Sequence, residues 1–202
     1  GDKYRVYPAF AVAWIASNES FLHDNRIVDL LKLRASFGVT GMSARLSYDM
    51  DKQFNGGGNS YIFVGSTSQY GTAQGALPST GIEPEREYRS NIGIELSLFK
   101  ALTLDADFFY NKRRNIRISS EGTLSGVLGI GTPDVFTGEV RNYGWEVALG
   151  WRKQIGDFSY GLHGQISYAK NKIIRKEEGY KPHWYMYASG NTIDRFYGLM
   201  AD

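Results

Sequence analysis

The clearest pattern in the chain is an alternation of apolar and polar residues across positions 142–171. The apolar positions of its first half are Tyr143, Trp145, Val147, Leu149 and Trp151. After a polar turn predicted at residues 153–157, the alternation resumes with Phe158, Tyr160, Leu162, Gly164, Ile166 and Tyr168. A period of two is typical of a strand with one apolar face. Two such runs joined by a short turn predict an antiparallel hairpin.

The aromatic residues of this hairpin lie at its two ends, with aliphatic residues between them. Trp151 and Phe158 flank the turn, whereas the far end carries Tyr143, Trp145 and Tyr168. An outer-membrane barrel presents the same arrangement to lipid, as an apolar band between two aromatic girdles. Roughly 10 residues that rise ~3.3 Å each and tilt by ~40° match the height of that band, about 25 Å. The pattern favours a membrane-spanning hairpin over a half-buried soluble one.

Four further segments show strand character, at residues 4–14, 31–40, 88–99 and 102–110. Between the first two, a polar connector is predicted to hold one helical turn capped by Ser17. The last two segments form a second hairpin around Lys100 and Ala101, with an apolar face that ends at Tyr110. The opposite face of that hairpin carries polar residues: Asn91, Glu95, Asp105 and Asp107.

The predicted connections differ in length between the two ends of the strands. One end has the shorter ones, at residues 15–30, 99–101 and 153–157. The other end has long ones, at residues 41–87, at 111–141 and from 172 onward. Within the second of these, a short strand predicted at residues 116–119 would extend the hairpin. Short periplasmic turns and long extracellular loops are typical of outer-membrane barrels. We therefore predict an all-β fold, an antiparallel meander of hairpins with long loops on one side that forms a partial segment of a transmembrane β-barrel.

Composition narrows the function classes. The 202 residues include 24 Gly, 14 Tyr and 11 Phe, which favours strands and turns. With 23 basic and 21 acidic residues, the net charge of +2 gives no reason to expect nucleic acid as a partner. The absence of cysteine excludes disulfides and thiolate metal sites within the chain. Low overall hydropathy is compatible with a barrel, because alternation averages each strand to near neutral.

Candidate chemistry is sparse. Asp105 and Asp107 lie two positions apart on one strand, so their carboxylates face the same way, as in an acid/base pair. A polar wall facing a water-filled lumen explains them better. The three histidines, His23, His163 and His183, have no partner at metal-ligand spacing. We therefore predict no catalytic residue, no metal, no cofactor and no enzyme activity.

Two loop features leave alternatives open. The basic run Lys112, Arg113 and Arg114 would either bind lipid headgroup phosphates or be solvated. The aromatic residues of the loops would either stack on sugar rings or another apolar ligand, or pack the loops against each other. These aromatic residues are Tyr61, Phe63, Tyr70, Trp184, Tyr185 and Tyr187.

Several segments in order resemble the barrel region of TonB-dependent outer-membrane transporters of the SusC/RagA type. The segments are LKLRASFGVTG from Leu31, EREYRSNIGIELSLF from Glu85, LTLDADFFYNKRRNIRI from Leu102, NYGWEVALGWR from Asn142, GDFSYGLHGQISYAKNKI from Gly156 and GNTIDRFYGLMAD from Gly190. The resemblance implies a Gram-negative outer-membrane location and a barrel of about 22 strands closed by an N-terminal plug. It also implies a SusD-like lipoprotein partner, energy coupling through TonB in a region outside this chain, and an oligosaccharide or peptide as the ligand.

On this basis residues 1–202 are expected to be part of a TonB-dependent receptor β-barrel domain, with no plug, no signal peptide and an incomplete barrel. A polar set is expected to face the lumen: Asn91, Glu95, Asp105, Asp107, Glu146, His163 and Gln165. An aromatic girdle is expected to face outer-membrane lipid: Tyr110, Tyr143, Trp145, Trp151, Phe158 and Tyr168. The alternative is a soluble β-sandwich module that binds carbohydrate, in which a second sheet covers the face of Trp145 and Trp151.

Overall fold

The computed structural model describes residues 4–22, 25–42, 51–62, 68–79, 81–120, 127 and 129–196. Within them the regular structure is eight strands and two single turns of 3-10 helix, which confirms the all-β prediction. No helix in the described ranges is long and apolar enough to cross a membrane. The strands are β1 (Ala9–Ile15), β2 (Val28–Met42), β3 (Phe54–Ile62), β4 (Ser68–Gln74), β5 (Glu85–Leu98), β6 (Leu102–Ser119), β7 (Asp134–Ile155) and β8 (Phe158–Arg175).

Six of the strands form one antiparallel sheet in the order β1-β2-β5-β6-β7-β8, and β3 pairs with β4 in a separate two-stranded sheet. The register joins the apolar faces of all six strands, because residues directly opposite each other project to the same side. One such row is Trp14, Leu33, Ile94, Ala106, Val147 and Ile166. The neighbouring row on the other face is Ala13, Arg34, Gly93, Asp107, Glu146 and Ser167.

The six-stranded sheet is a single layer with almost no interior. Among the described hydrophobic residues only Ala16 and Phe136 are buried. The accessible surface is 15529 Å², whereas a compact soluble protein of 22.7 kDa exposes roughly 9,500 Å². On the apolar face Leu162 is 77% exposed and Ile92 63% exposed. No described second sheet covers this face, as the β-sandwich alternative requires.

Tight turns close both hairpins at one end of the sheet, with three residues (99–101) between β5 and β6 and two (156–157) between β7 and β8. Phe99 and Lys100 have φ values of 55° and 52° between β5 and β6, and Gly156 has φ of 62° between β7 and β8. The turn predicted at residues 153–157 is therefore too long. β7 continues through Lys153 and Gln154 to Ile155, which lies opposite Phe158. Positive φ at the first turn position suits glycine and matches the twist of the flanking strands.

The loop predicted at residues 111–141 is strand over much of its length, which includes the short strand predicted at residues 116–119. β6 continues to Ser119 and β7 starts at Asp134, so that Ile118 lies opposite Val135. Two register shifts interrupt the pairing of β6 with β7, one between Arg113 and Ile116 and one between Ile116 and Ile118. Asn115 lies in the first of them and has a φ of 59°. Such bulges break the period of two while the strands continue. The alternation therefore stops at the bulge although the sheet does not.

Other predicted boundaries also differ. The irregular stretch at 41–87 contains the β3–β4 hairpin and the start of β5, and the aperiodic region from 172 contains the end of β8 at Arg175. β1 begins only after Pro8, which lacks the N–H that a ladder needs. The short 3-10 turn Ala16–Asn18 has no side-chain cap, so the predicted capping by Ser17 is wrong. The sorting of short and long connections to opposite ends nevertheless holds.

Candidate functional site

The polar face of the sheet carries an ion-paired cluster at its centre. Two adjacent rows meet there: Lys32, Glu95 and Asp105 in one, and Arg34, Gly93 and Asp107 in the next. These residues come from β2, β5 and β6, which are neighbours in the sheet although a connection of 42 residues, 43–84, separates β2 from β5 in the chain. Alternation along each strand places all of them on one side. We call Lys32, Arg34, Glu95, Asp105 and Asp107 the Arg34 cluster.

Arg34 is the hub of this cluster. One terminal nitrogen of its guanidinium donates to Glu95 Oε1 at 2.8 Å. The other donates to Asp105 Oδ1 at 2.8 Å and to Asp107 Oδ2 at 2.5 Å. Lys32 Nζ also lies 3.1 Å from Glu95 Oε1. A planar guanidinium suits this task, because its donors fork toward several carboxylates at once.

Gly93 leaves the space that the Arg34 side chain needs to cross β5. A Cβ atom at position 93 would lie 2.3 Å from Arg34 Nε and 2.6 Å from Asp107 Oδ1. Both distances are well inside van der Waals contact. The absence of a side chain here therefore lets an arginine on β2 reach carboxylates on β6, two strands away.

The predicted lumen-facing residues all lie on this polar face, but only part of the set comes together. Glu95, Asp105 and Asp107 share Arg34. Glu146 lies directly opposite Asp107, and Gln165 lies two strands from Asp105 in the same row. Asn91 and His163 lie in separate rows. In the described part of the chain Asn91, Glu146, His163 and Gln165 make no side-chain hydrogen bond. That the face lines a lumen stays a prediction.

This arrangement is poorly suited to acid/base chemistry. Asp105 and Asp107 accept from the same guanidinium nitrogen, so both carboxylates are held in place by a fixed cation. The cluster sets three carboxylates against two cations, and Glu146 adds a further negative charge beside Asp107. It can therefore order polar residues and water on a negatively charged wall.

Sequence reasoning placed Lys32 and Arg34 on a polar strand face but did not include them in the site. The missing step was the pairing of β2 with β5, which brings Lys32 opposite Glu95. The available signal was the charge of the two faces, since a basic face and an acidic face complement each other when strands pair.

The predicted aromatic girdle lies on the opposite, apolar face. Tyr110 is directly opposite Tyr143, and Trp145 stacks on Tyr168 with ring centroids 6.2 Å apart. Trp151 lies near the turn end, opposite Leu162. At the same end, the ring of Phe158 stacks on that of Tyr160 with centroids 6.2 Å apart. Contact of these rings with lipid stays a prediction.

The basic run at residues 112–114 divides between the two faces. Arg113 pairs with Glu85 at 3.2 Å, on the polar side. Lys112 and Arg114 project to the apolar side, where both contact the Glu139 carboxylate, at 2.7 Å and 3.2 Å. The alternation of strand β6 therefore separates three consecutive cations.

The segment after β8 folds back on itself around Glu178. Its carboxylate accepts the backbone N–H groups of Ala188 at 2.8 Å and Ser189 at 2.9 Å, and the Ser189 hydroxyl at 2.8 Å. Partial burial raises the pKa of the Glu178 carboxyl. The hydrogen bonds from Ala188 and Ser189, with the nearby charge of Lys176, outweigh that effect and hold the pKa below its ordinary value of 4.5.

This anchored segment presents aromatic rings to solvent. Trp184 is 79% exposed and Tyr180 90% exposed. The ring of Tyr185 stacks on His183 at 5.2 Å and meets Trp184 edge-on at 6.2 Å. Tyr187 instead accepts the backbone N–H of Lys181, so it packs the segment. The side chains of Tyr61, Phe63 and Tyr70 lie outside the described residues.

Comparison with known proteins matches residues 2–196 to the family model "TonB dependent receptor-like, beta-barrel". TonB-dependent receptor P3 of Formosa agariphila is 26% identical over 180 residues, covering 88% of this chain and 18% of that protein. TonB-dependent receptor SusC of Bacteroides thetaiotaomicron is 24% identical over 199 residues, covering 96% of this chain and 19% of that protein. The chain thus spans about a fifth of the length of these relatives.

Solved structures give the same fold. The RagAB peptide importer in its open-open state matches with a TM-score of 0.66 and 16% identity, over 84% of this chain and 18% of that one. The closed-closed state matches with a TM-score of 0.66 over 92% of this chain and 20% of that one. In both structures the match takes up about a fifth of the longer chain.

Proposed function

Because this chain belongs to the TonB-dependent receptor β-barrel family, we propose that the full-length protein imports a large nutrient across the outer membrane. The observation that carries the proposal is the continuous apolar face of the six-stranded sheet, edged with aromatic rings and backed by an ion-paired polar face. Lipid on one side and a water-filled lumen on the other satisfy both faces. The named relatives are receptors and transporters.

In this mechanism the polar face surrounds the plug and the passing nutrient. The Arg34 cluster keeps its carboxylates fixed, so that the wall stays charged and hydrated while the plug moves. Transport is gated by movement of the plug and coupled to TonB, and no residue of this chain acts on the covalent bonds of the nutrient.

The substrate class we propose is oligosaccharide, captured together with a SusD-like surface lipoprotein. The exposed rings of Trp184 and Tyr185 support this choice, because flat aromatic faces stack on the apolar faces of sugars. The structural neighbours named as a peptide importer make peptide the competing class.

Uptake by whole cells tests the proposal. Cells that carry or lack the full-length protein are offered fluorescent oligosaccharides and peptides too large for porins, with and without a protonophore. We expect uptake of oligosaccharides to require both the protein and the proton-motive force. If only peptide uptake required the protein, peptide would replace oligosaccharide as the substrate class. If cells lacking the protein took up every probe, an import function would be contradicted.

The exposed rings of Trp184 and Tyr185, which we call the aromatic platform, have their own test, in which binding of the same fluorescent oligosaccharides to the cells is measured. Replacing Trp184 by Ala is expected to lower oligosaccharide binding by roughly 5- to 30-fold, since one stacking contact with a sugar ring contributes about 1–2 kcal/mol. Lys181→Gln is the control in the same segment, because it keeps both exposed rings and the backbone N–H that donates to Tyr187. Equal binding by Trp184→Ala and the parent would remove the platform from the mechanism.

A further inference from the structure

A row of basic side chains crosses the apolar face just beyond the tyrosines, at the end of the sheet where the long loops lie. The members on β5, β6 and β7 lie an even number of positions from Tyr88, Tyr110 or Tyr143 on the same strand, so they project to the face of those tyrosines. The members on β8 lie directly opposite Tyr143 and Arg141, which places them on the same face. We call this set the basic row. Its members are Arg86, Lys112, Arg114, Arg141, Lys170 and Lys172.

The register brings like charges of the basic row directly opposite one another. Arg86 is the partner of Arg114 across β5 and β6. Arg141 on β7 lies between Lys112 on β6 and Lys172 on β8. Like charges in such pairs destabilise a sheet unless an anion lies between them. The basic row therefore requires negative charge from nearby anionic groups to offset the repulsion between its cations.

The described part of the chain supplies little of that charge. Glu139 serves Lys112 and Arg114. No described carboxylate lies within 4 Å of Arg86, Arg141, Lys170 or Lys172. Arg113 is the contrast, because on the polar side it pairs with Glu85 and Glu87.

Two guanidiniums of the row also keep an unused donor. The Nε atoms of Arg86 and Arg141 are buried and have no hydrogen-bond partner. The Arg141 guanidinium lies over two rings, 6.0 Å from the centroid of Tyr110 and 5.8 Å from that of Tyr143. Contacts of this kind hold the guanidinium at the level of the girdle, and its terminal nitrogens, which make no described hydrogen bond or ion pair, are the donors left for an anion.

The position of the row identifies the anion. In a membrane barrel the aromatic girdle marks the boundary between the acyl chains and the headgroups. Side chains on the outer face just beyond the girdle, at the long-loop end, lie among the headgroups of the outer leaflet. At the turn end of the same face, Lys153 is the one basic strand residue in the described ranges.

We propose that the basic row binds the phosphate groups of phosphorylated lipid headgroups in the outer leaflet. Arginine is suited to this ligand because its planar fork donates two parallel hydrogen bonds to a phosphate. The bound phosphates separate the like-charged pairs and accept hydrogen bonds from the terminal guanidinium nitrogens of Arg86 and Arg141. This inference rests on the membrane placement in the proposed function, but it does not depend on what is imported.

Native mass spectrometry of the full-length protein in mild detergent tests the inference. The probes are a diphosphorylated glycolipid (lipid A), the zwitterionic lipid phosphatidylethanolamine, and inorganic phosphate alone. We expect Arg86→Gln/Arg141→Gln to weaken binding of the diphosphorylated glycolipid by roughly 10- to 30-fold, since each cation near an anionic lipid contributes about fivefold in affinity. Lys172→Gln alone is expected to weaken it by about fivefold.

The controls are Lys153→Gln, on the same face at the turn end, and Arg113→Gln, at the same level on the polar face. Both are expected to bind the glycolipid as the parent does. Heat-dependent gel mobility selects folded barrels for the comparison. Parent-like binding by folded variants of the row, equal loss in either control, equal affinity for phosphatidylethanolamine, or full displacement of the lipid by inorganic phosphate would each overturn the inference. Absence of the parent from the outer membrane would instead overturn the proposed function.

Discussion

At the scale of single residues, Arg34 determines how the polar face is organised. It contacts three carboxylates on two other strands, and those carboxylates would otherwise repel one another. The Arg34 side chain is 33% exposed and those of Glu95 and Asp107 are 25% exposed, so water screens the ion pairs only in part. Breaking the cluster is therefore expected to cost more free energy of unfolding than breaking a surface ion pair, and less than breaking a fully buried one.

Replacing Arg34 by Gln is expected to lower the stability of the folded full-length barrel by about 1–3 kcal/mol, because three neighbouring carboxylates lose their shared cation. The midpoint of urea unfolding in detergent or lipid measures the change. Arg152→Gln is the control, since this arginine makes no described ion pair. The double variant Arg34→Gln/Asp107→Asn is expected to recover part of the loss. Equal midpoints for Arg34→Gln and Arg152→Gln would show that the cluster has no energetic role.

Gly93 is expected to matter for the same reason as Arg34. The added methyl of Gly93→Ala would meet Arg34 Nε at 2.3 Å, so the guanidinium must leave its carboxylates. We expect a loss similar to that of Arg34→Gln, and little additional loss when the two are combined. Gly164→Ala is the control, because its Cβ meets nothing within 4 Å. Additive losses in the double variant would show that Gly93 acts independently of the cluster.

The sequence was informative about which face a residue occupies and uninformative about its partners. Alternation placed Glu95, Asp105 and Asp107 on one side of their hairpin, and the register agrees. The contacts to Arg34 depend on β2 lying beside β5, and no local pattern spans the connection at residues 43–84. Lys32 and Arg34 could therefore not be assigned to the cluster from periodicity alone.

At the scale of elements, prediction succeeded where apolar and polar side chains alternate and failed where that alternation is interrupted. The strands around Val147 and Ile166 were identified because their side chains face two different environments. β3 carries Gly56, Gly57 and Gly58, and pairs with β4 through backbone hydrogen bonds despite two register shifts. β6 passes its bulge near Asn115 with the same loss of period.

The segment at residues 176–196 is expected to depend on Glu178. Glu178→Gln removes the charge that two backbone N–H groups and the Ser189 hydroxyl share, at an expected cost of roughly 1–3 kcal/mol to the closed segment. Hydrogen exchange at pH 7 is expected to show lower protection of the Ala188 and Ser189 amides in this variant. Glu177→Gln is the neighbouring control, since Glu177 accepts from side chains only.

The same carboxylate makes the segment sensitive to acid. The pKa of Glu178 is lowered in the folded segment, so its contribution is complete above the ordinary value of 4.5 and disappears as the pH falls through the lowered pKa. We expect the protection factors of the parent to fall toward those of Glu178→Gln below about pH 4.5. Protection in the parent that stays unchanged down to pH 2 would contradict this role.

At the scale of the whole molecule, a single sheet with one apolar face needs neighbours on three sides. β1 and β8 each have one edge without a partner strand in the sheet, and the apolar face exposes many large side chains. Unpaired edges are costly in lipid and promote association in water. Further strands at the two edges and lipid on the apolar face are the neighbours that the proposed function supplies.

The 202-residue chain produced alone in aqueous buffer is therefore expected to associate. Light scattering after size exclusion measures this directly. We expect species far larger than 22.7 kDa, and expect detergent above its critical micelle concentration to reduce their size. A stable monomer without detergent would show that the apolar face can be covered from within the chain.

The most direct test of the membrane placement is a spin-label scan along β7 and β8 of the full-length protein in lipid. This chain has no cysteine, so single cysteines can be placed at Val147, Leu149 and Ile166 on one face and at Ala148, Gln165 and Ser167 on the other. We expect labels on the first face to be relaxed by oxygen and hidden from a water-soluble nickel chelate, and labels on the second to show the reverse. Labels at 147, 149 and 166 that neither reagent reaches would place that face in a protein core and contradict the account.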